Sequence, residues 1–505
     1  MSSFEEKELA ILRAAVDRAE EKAGKRLTNS EEVQKIIQIV ENFLRKKKLV
    51  CYGGTAINNI LPQQDQFYNK DIEIPDYDFF SPAALDDAKE LADIYAAAGY
   101  TDVEAKSGVH HGTYKVFVNF IPVADITSLP KGLFRAVQKD SIKVSGILYA
   151  PPDYLRMAMY LELSRPKGDV SRWEKVLKRL TLLNKNYPMK NPRCNHVDFM
   201  RSFEGSPEDS KDIYFTVRDS IVDQGLVFFG GYASELYSRY MPKRERKMLQ
   251  SKNPDFDALS GDPETSAIII KERLQDEGFH HVKITKRPGV GEIISPHYEI
   301  SIGEDTVCFI YKPLACHSYN VIRIGGRKVK VATIDTMLSL YLAFLYANRQ
   351  YYDHDRIYCM SQYLYKVQQR NRLQQKGVLK RFSLQCIGKQ DTLEDMRNEK
   401  TKMFEMLKGK RGTREYEEWF LKYAPGVKEN KKVKKKKPKT RKKAKKPKKT
   451  KKKKKKGTWF GGKAKTKRRR HKAKRRTRTG GGKHDGGGEK RGREENEKKE
   501  PEREE

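Results

Sequence analysis

Two aspartates separated by one residue, Asp76 and Asp78, are the side chains of this sequence best suited to chemistry. Residues two apart on a β-strand share a face, so both carboxylates should project together while Tyr77 points into the opposite layer. A third carboxylate, Asp125, lies in the apolar run VADI and is expected on a neighbouring strand. Three such carboxylates can hold two Mg²⁺ or Mn²⁺ ions roughly 3.5–4 Å apart, an arrangement suited to nucleotidyl transfer.

A glycine turn precedes these aspartates. Gly53, Gly54 and Thr55 stand where an apolar strand meets the start of a helix. Backbone N–H groups and the threonine hydroxyl could there approach the β- and γ-phosphates of a nucleoside triphosphate. A purely structural turn from strand to helix is the alternative interpretation.

Cations follow in the helical part of the sequence. Arg165, Lys175 and Lys178 lie on or near the helices that follow the predicted carboxylate strands, where cations could face a triphosphate, and a solvated helix face is an equally good interpretation.

Strand and helix patterns alternate around these residues, which predicts an α/β (α+β) fold with a mixed sheet. The order then recurs about 180 residues later, as expected of an internal duplication. LVCYGGTA at 49–56 is echoed by LVFFGGYA at 226–233, and IPDYDFFS at 74–81 by NPDFDALS at 253–260. The helix from Asp153 likewise has a counterpart from Asp335.

The two copies differ at the third carboxylate. Phe309 takes the place of Asp125 in the second copy, although the nearby Glu304 and Asp305 leave another register open. We therefore expect the second copy to be structural or RNA-binding.

The duplication also helps to choose between two carboxylate pairs in the first copy. Asp71 and Glu73 compete with the aspartates named above, but the second copy keeps the Pro-Asp-aromatic-Asp pattern. Pro75 would interrupt any strand that joined the two pairs.

Length and charge divide the chain. Its 505 residues predict two or three domains. The segment from Val427 contains 39 Lys and Arg against 10 Asp and Glu, a net charge of +29, so the first 426 residues carry only +8 of the total +37. We expect this tail to be disordered and to contact RNA phosphates, with a solubility extension and a localisation signal as alternatives.

The six cysteines are scattered, without the spacing of a zinc site, and are interpreted as reduced thiols. No signal peptide or membrane-spanning segment is recognised, so we expect a soluble intracellular protein.

The motifs YGGTAIN, PDYDFFS and the strand with ADI resemble those of the nucleotidyltransferase superfamily, over roughly residues 25–400. Within it, the sequence is similar to the poly(A) polymerase catalytic subunits of poxviruses and other large cytoplasmic DNA viruses. The spacing from Gly54 to Asp76 is longer than in many superfamily members.

The resemblance implies a duplicated nucleotidyltransferase fold and template-independent addition of AMP from ATP to the 3′ end of mRNA. It also implies two Mg²⁺ or Mn²⁺ ions on Asp76, Asp78 and Asp125, and a glycine motif at Gly53 and Gly54. Other terminal transferases, forming poly(U) or oligoadenylate, and an inactive nucleic-acid-binding protein of this fold are the alternatives.

The domains expected on this basis are a helical segment (1–45), a catalytic domain (46–195), a degenerate second domain (196–425) and the basic tail (426–505). Expected partners are a single-stranded RNA 3′ end, ATP, and a stimulatory subunit or a second copy, with no membrane. We expect the protein to act in the host cytoplasm. The virion, into which it could also be packaged, is a second expected location.

Overall fold

The structure is a computed structural model that describes residues 4–28, 30–69, 74–195, 207–246 and 256–426. All of these residues belong to one compact unit. The competing carboxylates Asp71 and Glu73, residues 253–255 of the second copy, and the basic tail lie outside the described residues. The predictions about them therefore remain predictions, as do the predicted domain boundaries.

The first part of the chain forms two helices and then an alternation of strands and helices. In chain order the elements are α1 (Phe4–Thr28), α2 (Glu31–Lys47), β1 (Val50–Cys51), α3 (Gly53–Ile60), β2 (Tyr77–Ser81), α4 (Ala84–Ala97), β3 (Val103–Ser107), β4 (Thr113–Val118), β5 (Ile121–Ser128), α5 (Lys131–Lys139), β6 (Ile142–Val144), β7 (Ile147–Tyr149), α6 (Pro152–Leu163) and α7 (Trp173–Asn186).

The second part repeats this alternation and ends in further short elements. These are α8 (Pro207–Asp223), β8 (Val227–Phe229), α9 (Gly230–Ser238), α10 (Lys243–Arg246), β9 (Phe256–Leu259), α11 (Pro263–Asp276), β10 (Val282–Arg287), β11 (His297–Ile302), β12 (Asp305–Tyr311), β13 (His317–Ile324), β14 (Arg327–Ala332), α12 (Ile334–Phe344), α13 (His354–Arg370), β15 (Cys386–Ile387), α14 (Leu393–Leu407), α15 (Arg414–Phe420) and β16 (Lys422–Tyr423).

Two mixed sheets of the described residues share one topology over seven of their eight strands. The first has the order β16-β3-β4-β5-β2-β1-β7-β6, and the second has the order β10-β11-β12-β9-β8-β14-β13-β15. The central pairs agree in direction as well, since β2 and β5 are parallel like β9 and β12, and β1 and β7 are parallel like β8 and β14. The internal duplication predicted from the sequence is therefore confirmed.

The alternation predicted for the first aspartate strand is confirmed by its contacts. Tyr77 and Phe79 are buried on one face of β2, and the Tyr77 hydroxyl donates a hydrogen bond to Glu41 Oε1 of α2 at 2.7 Å. Asp78 is only half-buried, on the other face. The helices α2 and α4 therefore cover one face of the sheet and leave the aspartate face for the site.

The two halves share one hydrophobic core through equivalent helices, α6 and α12. Tyr154 near the start of α6 meets Tyr346 just after α12, with ring centroids 5.1 Å apart. A backbone hydrogen bond of 2.8 Å from Ser318 N–H to the Ser164 carbonyl also joins the halves. The second copy is thus packed firmly against the first.

The end of the described chain returns to the first sheet. The strand β16 pairs antiparallel with β3, and the Tyr423 hydroxyl donates to Asp93 of α4 at 2.6 Å. Lys89 of α4 also forms an ion pair with Glu417 at 2.6 Å. Residues 414–423 therefore pack against the first sheet, although their place in the sequence lies within the predicted second domain.

The prediction of six reduced cysteines is wrong for four of them. The structure pairs Cys194 with Cys359 and Cys316 with Cys386, each with Cα atoms 5.2 Å apart. These bonds join residues separated by 165 and 70 positions, so no local spacing could have indicated them. Cys51 and Cys308 are buried free thiols.

Across the described ranges, no helix has the length and apolar character needed to span a membrane.

Candidate active site

Two of the predicted carboxylates stand side by side on neighbouring strands. The strands β2 and β5 run parallel, and Asp78 is the register partner of Asp125. Because register partners point to the same face of a sheet, their side chains project together. Asp76 lies in the segment immediately before β2, near enough for its charge, with that of Asp125, to act on Asp78.

Gly53 is required where the turn meets this carboxylate group. Its backbone has φ +75°, in the left-handed region, and a Cβ atom added there would lie 2.6 Å from Asp78 Oδ2. The turn can therefore approach the aspartate only as glycine.

Gly54 is held to glycine by a different contact. An added Cβ would lie 2.5 Å from the Tyr68 hydroxyl oxygen and 2.9 Å from Arg179 Nη1. Arg179 donates to that hydroxyl at 2.6 Å and lies over the Phe67 ring at 4.7 Å. A guanidinium is therefore fixed directly beside the turn.

Thr55 is buried, and its hydroxyl donates to the Asp76 backbone carbonyl at 2.8 Å. This bond ties the turn to the segment that carries the first aspartate. The contact of Thr55 with phosphate remains a prediction.

Burial and neighbouring charges raise the pKa of two of these aspartates. Burial first, and then the charges of Asp76 and Asp125, raise the pKa of Asp78 to about 7. Partial desolvation of its carboxylate and the charge of Asp125 also raise the pKa of Asp76, although the residue as a whole is exposed. The site therefore favours groups that neutralise negative charge.

Lys115 supplies one such group from within the protein. It is the register partner of Asp125 on β4, and its ammonium group forms an ion pair with Asp125 Oδ2. The charge of Lys115 opposes the rise in the pKa of both Asp76 and Asp78, although both pKa values stay above their usual range. Arg172 acts on Asp78 in the same direction.

The donor set suits a divalent cation. Asp125 Oδ1 is buried without a hydrogen-bond partner, and carboxylate oxygens are the ligands that Mg²⁺ prefers. Within the described part of the chain, no group of three or more His, Cys, Asp or Glu side chains is drawn together as a metal cluster. The chemistry of the carboxylates nevertheless fits such an ion.

The predicted cations lie in different surroundings. Arg165 has a buried Nε without a hydrogen-bond partner, and burial lowers its pKa. Lys175 is exposed on α7, and Lys178 forms an exposed ion pair with Glu174 at 2.6 Å. The predicted triphosphate contacts of Arg165 and Lys175 remain predictions.

Sequence reasoning overlooked Arg172, Arg179 and Lys115. Arg172, just before α7, and Arg179 on α7 are seven residues apart, two turns of helix, and lie on one side of the buried positions Val176 and Leu180. This spacing placed them, rather than the neighbouring lysines, at the edge of the apolar face. Lys115 was marked only by its place in a strand with alternating burial.

The second copy has kept the turn and the carboxylate beside it but has lost the third carboxylate. Gly230 has φ +73°, and a Cβ added there would lie 2.0 Å from Asp257 Oδ2. Asp257 is the register partner of Phe309, as Asp78 is of Asp125, while Asp305 pairs with Ile302 at the start of β12. Phe309 thus holds the third position, as predicted.

Aromatic rings occupy this second position. Phe309 stacks on Tyr351 with ring centroids 5.5 Å apart, and His297 lies 5.9 Å from Phe309 and 4.4 Å from Tyr311. A packed aromatic cluster therefore stands where the first copy has Asp125.

The fold defines a class of protein. A solved crystal structure of the Megavirus polyadenylate synthase superposes with a TM-score of 0.70 over 84% of this chain and 86% of that one, at 20% sequence identity. The predicted α/β fold with mixed sheets is therefore confirmed.

The sequence of the first copy points to one family within that class. Residues 38–169 match the family model described as poly(A) polymerase catalytic subunit, and they include the glycine turn and all three aspartates. The family resemblance inferred from the motifs is therefore confirmed for this region.

Curated viral proteins described as candidate poly(A) polymerase catalytic subunits match a similar share of the chain. One from African swine fever virus (strain Badajoz 1971 Vero-adapted) is 35% identical over 173 residues, which are 33% of this chain and 36% of that protein. One from Acanthamoeba polyphaga mimivirus is 34% identical over 169 residues, 32% and 28% of the respective chains. The chain therefore spans just over a third of the length of the first relative and less than a third of the second.

Gly53→Ala should impair both the site and the fold. The left-handed backbone costs alanine about 1–2 kcal/mol, and the new methyl group would also displace Asp78. We expect a loss of nucleotidyl transfer on the order of 10²-fold, measured as initial rate. Gly99→Ala is the matched control, because Gly99 has φ +97° but no atom lies within 4 Å of an added Cβ. Equal effects of the two variants would contradict the contact with Asp78.

Asp78→Asn should stabilise the metal-free protein at pH 8. The folded-state pKa of Asp78 is raised, so its carboxylate opposes folding once ionised, above about pH 7, and less as the pH falls. We expect a gain of at least about 1.4 kcal/mol, the equivalent of one pKa unit, in urea unfolding with chelator present. The gain should shrink toward about pH 4, where the carboxylate is protonated in the folded chain. A pH-independent difference would contradict the account.

Proposed function

We propose that this chain is a template-independent poly(A) polymerase that adds AMP from ATP to the 3′ end of RNA. The register pairing of Asp78 with Asp125, beside a glycine turn and inside the segment that matches the family, carries this proposal. Raised carboxylate pKa values and an unpaired carboxylate oxygen support the use of divalent cations there.

Each group has a role in this reaction. Asp76, Asp78 and Asp125 would hold two Mg²⁺ or Mn²⁺ ions. When bound, such ions supply activation of the attacking 3′-hydroxyl and neutralisation of the leaving pyrophosphate. The turn at Gly53 and Gly54 would present backbone N–H groups to the triphosphate at the start of α3.

Arginines on the same side of the site would complete the nucleotide pocket. Arg179 is fixed beside Gly54, and Arg172 is near enough to lower the pKa of Asp78. A planar guanidinium can bind phosphate oxygens in a bidentate manner, which suits both residues to the departing pyrophosphate.

A stimulatory subunit and a cytoplasmic site of action belong to the same proposal. The description of the relatives as catalytic subunits supports the first. Recovery of a second viral protein with the tagged chain from the cytoplasmic fraction of infected cells would test both.

The double variant Asp76→Ala with Asp78→Ala tests the proposed site. We expect a loss on the order of 10³-fold or more in AMP addition to a short RNA, with RNA binding retained. The matched control is Asp257→Ala, which removes the register-equivalent carboxylate of the second copy and should leave extension intact. Undiminished extension by the double variant would rule out this site.

Base choice is tested with the same assay. The wild-type chain is incubated with a short RNA and each of the four nucleoside triphosphates, and we expect long products with ATP alone. Extension with UTP in place of ATP would identify another terminal transferase. Absence of extension with all four, together with RNA binding, would favour a nucleic-acid-binding protein of this fold.

A further inference from the structure

A row of lysines crosses the first sheet from the carboxylates to the sheet edge. Lys115 is the register partner of Asp125, Lys106 is the partner of Lys115, and Lys422 is the partner of Lys106. Register partners share a face of the sheet, so the row lies on the face that carries the aspartates. We call these three residues the lysine row.

The contacts of neighbouring residues confirm this face. Tyr114 and Tyr423 each adjoin a member of the row in sequence and therefore point the other way. The Tyr114 hydroxyl donates to the Glu418 carbonyl at 3.2 Å, and the Tyr423 hydroxyl donates to Asp93 of α4. Both tyrosines are thus on the helix-covered face, which leaves the lysine row on the open one.

The lysine row leads away from the glycine turn. In the sheet order, β1 and the turn that follows it lie on one side of β2, whereas β5, β4, β3 and β16 lie on the other. Neighbouring strands are about 4.8 Å apart, so three intervals place the Lys422 backbone roughly 14 Å from that of Asp125. A triphosphate bound at the turn would therefore leave the lysine row free.

The lysine row is accessible to an anion. The Lys115 side chain is 37% exposed and the Lys106 side chain 43%, and Lys422 is exposed. Lys106 forms an ion pair with Glu104 at 3.3 Å and lies 4.0 Å above the Phe117 ring. An exposed pair of this kind contributes at most about 1 kcal/mol, so a phosphate can replace Glu104 as the partner of Lys106.

The second copy lacks the lysine row. Glu299 is the register partner of Phe309 and so corresponds to Lys115, and Thr285 pairs with Glu299 and so corresponds to Lys106. The strand β10 that carries Thr285 is also the edge of its sheet, with no counterpart of β16 among the described residues. The lysines therefore accompany the carboxylate site and were not required by the sheet itself.

We propose that the lysine row binds the backbone phosphates of the RNA acceptor strand and guides its 3′ end to Asp125. This inference rests on the proposed function. Stacked single strands rise about 3.4 Å per nucleotide, so a path of roughly 14 Å accommodates about the last four nucleotides. Phe117 lies within the path and offers a ring for a base to stack on.

The sequence that follows Lys422 is also positively charged. The Lys/Arg-rich segment begins at Val427, five residues after Lys422.

The test is charge reversal at two members of the row, Lys106→Glu with Lys422→Glu, in the full chain. Lys115 is left intact because it contacts Asp125. We expect the KM for a 12-nucleotide RNA to rise about tenfold or more, and the salt slope of RNA binding to fall by about 0.7 for each RNA phosphate that the variant no longer neutralises. The rise should diminish for a dinucleotide primer, which is too short to reach Lys422.

The matched control reverses two exposed strand lysines of the second sheet, Lys283→Glu with Lys328→Glu. This variant has the same net charge and should keep the KM for the 12-nucleotide RNA. The conservative variant Lys106→Arg with Lys422→Arg should also keep it, which separates loss of charge from loss of folding.

Two results would overturn the inference. One is an unchanged KM for RNA in the charge-reversed variant, and the other is a rise in the KM for ATP in place of that for RNA. Binding of the 12-nucleotide RNA, followed by fluorescence anisotropy without ATP, makes the test independent of catalysis. Failure of the wild-type chain to extend RNA with ATP would instead count against the proposed function.

Discussion

Mutual repulsion of carboxylates held at one place on a sheet is the constraint on which the first half of this molecule depends. The parallel register of β2 and β5 places Asp78 beside Asp125, and burial with these neighbouring charges raises the pKa of Asp78 to about 7. Beside this group lies a glycine turn, in which a side chain at Gly53 would collide with Asp78. The basic residues Lys115 and Arg172 also act on Asp78. The rigid sheet sustains an arrangement that isolated side chains would avoid.

The second copy shows what the same fold becomes without that constraint. Its strand order and its close glycine are retained, but Phe309 replaces the third aspartate and packs among aromatic rings. Glu299 replaces the lysine that faces that aspartate in the first copy. Burial of apolar surface has taken the place of charge, which suits a structural role against α6 and α12.

Features that depend on the local pattern of residues could be predicted from the sequence. Period-two alternation predicted that Tyr77 and Asp78 lie on opposite faces of β2, and the repeated motif predicted both the duplication and Phe309. Pairings between distant segments could not be predicted from such patterns. Lys422 is the strand partner of Lys106, more than 300 positions away, and Cys194 forms a disulfide bond with Cys359, 165 positions away. Arg179 was overlooked because its spacing places it at the edge of the apolar face of α7 but does not show that it lies beside Gly54.

The central claim is that the charge at position 125 makes the first copy the active one. Matched substitutions at the register-equivalent residues test it most directly, in single-turnover AMP addition to a short RNA by Asp125→Asn and by Phe309→Leu. The account predicts that Asp125→Asn, which removes the charge at nearly constant volume, loses AMP addition while Phe309→Leu retains it. Substantial activity in Asp125→Asn would contradict it.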